Sequence, residues 1–183
     1  MNSIKIIFFI FISLNISLKV SSNDYLIKSL KESNKFIFIR HSIAPGSGDP
    51  INFDILDCST QRNLNYLGIN QSKKIGQFFL KNNIKIDKVI SSQWCRCKET
   101  ALIAFKKFKT KSFLNSFYDK KFIKNKDKQI NELNEYIKNS KNEGNVVFVT
   151  HYVVISELLN IFPNSGEAII TDKNLNVIDR IIF

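Results

Sequence analysis

Phe36-Ile37-Phe38-Ile39-Arg40-His41-Ser42 and, more than a hundred residues later, Val146-Val147-Phe148-Val149-Thr150-His151 decide how this chain is read. Each is a run of apolar, β-branched and aromatic residues with no polar group in its interior, the pattern of a strand buried on both faces of an α/β sheet. Each ends on a histidine, and the chain has two histidines in all. If the strands lie parallel in one sheet, His41 and His151 emerge at the same carboxyl edge, where open α/β sheets place their ligand crevice. One strand-end histidine is ordinarily satisfied by a backbone carbonyl. Two of them, with Arg40 directly before the first, point to a functional edge.

Around these strands the pattern alternates. A short helix over Asp24–Glu32 precedes the first strand. Leu64, Leu67, Gln71, Ile75, Phe78 and Phe79 fall near one helical face, with Asn65 as the cap. Ile86–Ser91 reads as a strand, and a helix follows through Thr100–Phe108 with Leu102, Ile103 and Phe105 inward. Ile130, Leu133 and Ile137 mark a third helix over Asp127–Asn139. Asn145–Thr150 is the second histidine strand, followed by a helix over Val153–Ile161 that Pro163 stops. Ala168–Thr171 and Val177–Phe183, joined across Asp172-Lys173-Asn174, form a terminal hairpin. Strands alternating with helices predict an α/β fold, a three-layer α/β/α sandwich with a mostly parallel central sheet.

Four ordered stretches then resemble one family. Arg40-His41-Ser42 is similar to the Arg-His-Gly signature of the histidine phosphatase superfamily, the phosphoglycerate-mutase-like proteins. Leu64-Asn65-Tyr66-Leu67-Gly68-Ile69-Asn70-Gln71-Ser72, with Arg62 just before it, looks like that family's Leu-Thr-x-x-Gly-x-x-Gln-Ala helix opening. Ser91-Ser92-Gln93-Trp94-Cys95-Arg96-Cys97-Lys98-Glu99-Thr100-Ala101 resembles its Ser-Ser-x-x-x-Arg-x-x-x-Thr-Ala segment, and Val149-Thr150-His151 its second histidine strand. The resemblance covers the chain from about Lys35 onward. It implies a phosphohydrolase with His41 as nucleophile, a phosphate clamp of Arg40, Arg62, Arg96 and His151, and no metal or organic cofactor.

The chemistry explains those residue types independently. A phosphoryl group in transfer spreads negative charge over its equatorial oxygens, so catalysis is mostly positioning and cationic hydrogen bonding. Arginine offers a planar bidentate fork that lysine lacks. Of the 27 lysines and arginines, only Arg40, Arg62, Arg96 and Arg180 are arginine. Three of those four sit inside motifs, in a chain that elsewhere meets its need for positive charge with lysine. A neutral histidine can attack phosphorus and form a covalent intermediate.

Two departures from the family pattern matter. The glycine after the histidine is Ser42, small enough for the loop. The leaving-group acid, a glutamate in many members, has no clear equivalent in Leu114-Asn115-Ser116-Phe117-Tyr118-Asp119, where Asp119 is the nearby carboxylate. Asp119 reads equally well as the acid or as a solvated loop residue, with Asp49 and Glu167 as weaker candidates. A general acid contributes about 10² to 10⁴ in rate.

Met1–Ser22 has one early cation, Lys5, then the apolar stretch Ile6–Leu14 softening into Val20-Ser21-Ser22, the pattern of a secretory signal peptide. A spanning helix is the lesser reading, because Asn15 and Lys19 interrupt a short apolar core. Cleavage would leave residues 23–183 as one phosphatase domain in a periplasmic or secreted setting. It would remove Lys5 and Lys19 and no acid, taking the formal charge from +11 to 11 − 2 = +9. In an oxidising compartment Cys58 is expected to pair with Cys95 or Cys97, leaving one thiol over. The lysines from Lys106 to Lys128 read as a solvated face. No aromatic interleaving points to nucleic acid. The expected partner is a phosphorylated small molecule or glycan, by analogy a cell-envelope sugar phosphate, with no stable membrane insertion after cleavage. The alternative is a non-catalytic module that binds phosphorylated envelope ligands.

Overall fold

The computed structural model describes residues 22–183 of the 183-residue chain. The signal-peptide reading of Met1–Ser22 therefore lies outside the described residues, save for Ser22. Six strands, β1 (Phe36–Arg40), β2 (Ile86–Ser91), β3 (Lys109–Thr110), β4 (Asn145–Thr150), β5 (Ala168–Thr171) and β6 (Val177–Ile181), form one sheet in the order β3-β2-β4-β1-β5-β6. β1, β2, β3 and β4 run parallel, while β5 and β6 are the antiparallel terminal hairpin. Among the described residues five α-helices complete the fold: α1 (Ser22–Lys31), α2 (Tyr66–Lys81), α3 (Cys95–Phe105), α4 (Lys126–Lys138) and α5 (Tyr152–Leu159). This is the expected three-layer α/β/α sandwich.

The two histidine strands are direct neighbours at the sheet's centre, and β1 and β4 are paired with Arg40 opposite Thr150. Because strand side chains alternate faces, each apolar run feeds two cores. Ile37, Ile39, Val147 and Val149 pack with Leu26, Leu30, Ile75 and Phe79 from α1 and α2. Phe36, Phe38, Val146 and Phe148 pack with Leu133, Ile137, Val154 and Ile155 from α4 and α5. Phe148 stacks between Phe36 and Phe38, with ring centroids at 5.9 and 5.1 Å. Such aromatic pairs add about 0.5–1.5 kcal/mol each beyond their burial.

The helices differ from the sequence expectation in detail. Asn65 caps α2 as predicted, its side chain accepting from Gly68 N at 2.9 Å. The buried stripe of α2, however, is Gly68, Gln71, Ser72, Ile75 and Phe79, and Leu67 is exposed. The face is rotated because α2 approaches the chain at Gly68, where a Cβ would lie 2.1 Å from Ile43 O. Leu102 is likewise exposed rather than inward. α3 stops at Phe105, since Lys106 turns into the left-handed region with φ 66°, and α5 stops at Leu159 for the same reason at Asn160.

Asn145, the first residue of β4, is fully buried. Its Oδ1 accepts from Lys35 N at 3.0 Å, and its Nδ2 donates to Leu30 O at 2.7 Å and Lys85 O at 3.0 Å. One amide thus ties the ends of α1, β1 and β2 to β4. Asn145→Ala leaves buried backbone groups unpaired, so it is expected to lower stability by about 2–4 kcal/mol. Urea unfolding of the variant against wild type measures this loss.

Candidate active site

His41 and His151 follow the last residues of β1 and β4. His41 N donates to Thr150 O at 2.9 Å, and the two rings stand edge to face with centroids 5.5 Å apart. Both are 3% exposed. The His41 ring is held by Nδ1, which donates to Ser42 O at 2.8 Å. That bond sets the tautomer, leaving the lone pair on Nε2 facing the Arg96 Nε–H at 3.2 Å. Ser42 fits its loop fully buried, hydrogen-bonded with Ser72 Oγ at 2.8 Å and donating its backbone N–H to Thr100 Oγ1 at 3.1 Å.

His151 is held from the other side. Ser92 Oγ donates to Asn115 Oδ1 at 3.1 Å, so at 2.9 Å from His151 Nε2 it accepts that ring's proton. Nδ1 then presents its lone pair to Arg96 Nη2 at 3.5 Å. Burial lowers both imidazoles well below the usual histidine value, and the charges of Arg96, Arg40 and Arg62 push in the same direction. The rings are neutral at pH 7.

Four of the six expected site residues, His41, His151, Arg40 and Arg96, converge directly on this edge. Arg40 donates Nη1 to Pro163 O at 2.9 Å and lies over the Tyr152 ring at 5.5 Å, while its Nε is buried without a hydrogen bond. Burial lowers its pKa from the ordinary arginine value. Arg62 lines the same cavity. Its Nε donates to Gly48 O at 2.8 Å and its Nη1 to Ala44 O, so it also braces the loop over the site.

Asp119 lines the cavity but is exposed, and its Oδ1 accepts from Lys121 N at 3.0 Å in a local turn. Glu167 lies outside the cavity. It is buried and pairs with Arg180 Nε at 2.7 Å and Asn164 N at 2.7 Å. Burial raises its carboxyl, but those partners outweigh burial and hold it low, so Glu167 is a structural ion. Asp49, the other weak acid candidate, is inside the site and bound to Arg96 at 2.7 Å. Ser92, Trp94 and Asn115 complete the surroundings, and sequence reasoning assigned them no role. Their signal is purely spatial, since each acts through hydrogen bonds across 22 to 59 positions.

The open cysteine pairing resolves to a Cys58–Cys95 disulfide. It links the segment before Arg62 to the residue before Arg96, and Gln61 Oε1 reinforces the link by accepting from Cys95 N at 2.9 Å. Cys97 is the leftover thiol, buried and pushed up to about 12, so it is not a nucleophile. Among the described residues no group of histidine, cysteine or carboxylate side chains is arranged to hold a metal ion. No helix among them is long and apolar enough to cross a membrane.

No family model matches the sequence, and no curated protein matches it at the sequence level. Solved structures do match in fold. The protein histidine phosphatase SixA complexed with tungstate superposes with a TM-score of 0.61 at 14% identity, over 80% of this chain and 96% of that one. TTHB049 from Thermus thermophilus superposes with a TM-score of 0.59 at 14% identity, over 81% and 99%. The chain therefore shares the fold of these structures, a phosphoglycerate-mutase-like α/β/α sandwich.

The neutral rings carry a pH signature. Above the unfolded histidine value near 6.5 they add no pH dependence. Below it the unfolded rings protonate first, so stability falls as pH drops, by up to about 1.4 kcal/mol per pH unit for each ring. Urea unfolding between pH 7.5 and pH 5.5 is expected to show a smaller loss for His151→Gln than for wild type.

Proposed function

We propose that this chain is a phosphatase that hydrolyses a phosphomonoester through a covalent phosphohistidine on His41. One observation carries the reading: a single guanidinium, Arg96, faces the open ring nitrogens of both buried histidines, at 3.2 and 3.5 Å. Arg40 and Arg62 line the same cavity. Three arginines around a neutral, oriented nitrogen are what in-line phosphoryl transfer requires.

In this mechanism Arg40, Arg62 and Arg96 bind the phosphoryl oxygens and aim phosphorus at His41. The unpaired Arg40 Nε–H gains an acceptor. Burial and the positive field of the arginines keep His151 neutral in the free site; the phosphoryl dianion offsets that field, so Nδ1 takes a proton from solvent and, as an imidazolium, donates a hydrogen bond to an equatorial oxygen. His41 Nε2 attacks phosphorus, a P–N bond forms, and the P–O bond to the leaving group breaks. Water then attacks the phosphohistidine: a P–O bond forms as the P–N bond breaks, the carboxylate that protonated the leaving group takes the water proton, and inorganic phosphate departs with the ring restored.

The leaving oxygen must acquire a proton, and Asp119 at the cavity rim is the proposed donor. The finer reading is an exported enzyme acting on a cell-envelope sugar phosphate. The composition of Met1–Ser22 supports export, as does the Cys58–Cys95 disulfide, a bond that persists in oxidising compartments. The sugar phosphate rests on analogy. One feature favours the non-catalytic alternative: Asp119 is exposed and engaged with Lys121 N.

Turnover of an aryl phosphate separates enzyme from binding module, because its leaving group needs little protonation. The wild type, quenched during turnover, is expected to carry phosphate on His41, and His41→Ala to lose turnover while still binding phosphate weakly. Activity surviving in His41→Ala rejects the mechanism. Asp119→Asn is expected to slow alkyl phosphate hydrolysis by about 10² or more and to leave aryl phosphates almost unchanged. Equal small losses on both remove Asp119 as the acid. Sequencing of the protein recovered from its own cells is expected to begin near Asn23, and an intact Met1 counts against cleavage.

A further inference from the structure

Asp49 stands in the Gly46–Pro50 turn, whose glycines Gly46 and Gly48 have φ of +90° and +67°. The turn brings a carboxylate into a site built for anions, and its partners explain why. Oδ1 accepts from Arg96 Nη1 at 2.7 Å and from Arg62 N at 3.1 Å. Oδ2 accepts from Trp94 Nε1 at 3.0 Å and from Arg96 Nη2 at 3.2 Å. An ionised carboxylate has about four acceptor sites, and all are occupied. Burial raises the Asp49 carboxyl, but Arg96, Trp94 and Arg62 N outweigh burial and lower it overall. Asp49 is an ion with no proton to give, which excludes it as the leaving-group acid.

The matching inventory on Arg96 shows what the ion does. A guanidinium has five N–H donors in a fixed plane. Here the Nη1–Nη2 end grips Asp49, and Nη1 also donates to Arg62 O at 3.3 Å. The Nε–Nη2 edge faces His41 Nε2 and His151 Nδ1. An arginine has two faces able to bind an oxyanion side by side, and Asp49 occupies one of them. The face left for a phosphoryl group is the one beside both histidines.

We infer that Asp49 is a positioning residue for the phosphoryl clamp, holding the Nη1–Nη2 end of Arg96 so that its Nε–Nη2 edge stays aimed between His41 and His151. The assignment rests on the phosphatase reading and adds to it a residue that acts only through Arg96. The Asp49 contact to Arg62 N extends the same hold to the chain at the second arginine. Trp94 Nε1 closes the arrangement from the residue two places before Arg96.

A double-mutant cycle tests this with 4-nitrophenyl phosphate as substrate. In the wild-type background Asp49→Asn is expected to lower kcat/KM by about tenfold or more, because the neutral amide cannot receive both guanidinium donors. In the Arg96→Lys background, where no fork remains to be aimed, the same change is expected to cost less than about twofold. A carboxylate that merely supported the loop would cost the same in both backgrounds, and equal losses overturn the assignment. Full activity in Asp49→Asn overturns it as well. If Asp49→Asn does not fold by thermal unfolding, Asp49→Glu, which keeps both oxygens one methylene further out, carries the same cycle and the same criteria. Binding of inorganic phosphate to the wild type separates the two levels of the argument. Wild type that neither binds phosphate nor turns over substrate overturns the phosphatase reading, and Asp49 with it, whereas active wild type with equal losses overturns Asp49 alone.

Discussion

The register between β1 and β4 is the constraint from which the site follows. Arg40 lies opposite Thr150, so the next residues of each strand are the two histidines, and the bond from His41 N to Thr150 O at 2.9 Å extends the ladder by that one step. A slip of one residue would turn every side chain of one strand to the other face. It would exchange Ile37 and Ile39 with Phe36 and Phe38 between two cores of different shape. Packing of the apolar runs thereby fixes the distance between two imidazoles that are not themselves part of either core.

Bringing Arg40, Arg62 and Arg96 to one edge is costly, since each charge is partly desolvated and repels the others. The structure offsets this with backbone dipoles and one counter-ion. Pro163 O, Gly48 O and Ala44 O receive Arg40 and Arg62, and Asp49 receives Arg96. Carbonyl acceptors stabilise a guanidinium without cancelling its charge. The cluster keeps a positive field, and that field together with burial keeps both rings neutral.

The scaffold around the edge is held by constraints far from it in sequence. Asn145 gathers the ends of α1, β1 and β2 at the opposite end of β4. The Cys58–Cys95 bridge, spanning 37 positions, holds the segment before Arg62 to the start of α3. A bridge of this kind stabilises by about 2–4 kcal/mol. Gly76 allows α2 to pass so close to α3 that a Cβ there would lie 2.4 Å from Ala104 O.

What the sequence determined by itself is the local pattern. Two continuous apolar runs ending on histidine, the Asn65 cap, the Ile86–Ser91 strand and the terminal hairpin were all legible, because burial on both faces and turn chemistry write themselves into neighbouring residues. That His41, His151, Arg40 and Arg96 meet at one sheet edge was legible for the same reason, each lying inside or beside such an element. The tertiary structure decided the rest. The helical faces at Leu67 and Leu102 shifted because close backbone approach, at Gly68 to Ile43 O and at Gly76 to Ala104 O, and not hydrophobicity alone, sets how α2 and α3 are turned. The choice of Cys95 over Cys97 required knowing which residue of the first turn of α3 points to Cys58. The meaning of Asp49 was hidden altogether. Its chemistry lies in four hydrogen bonds to residues 13 to 47 positions away, and a long-range pairing of that kind leaves no periodic trace in the chain.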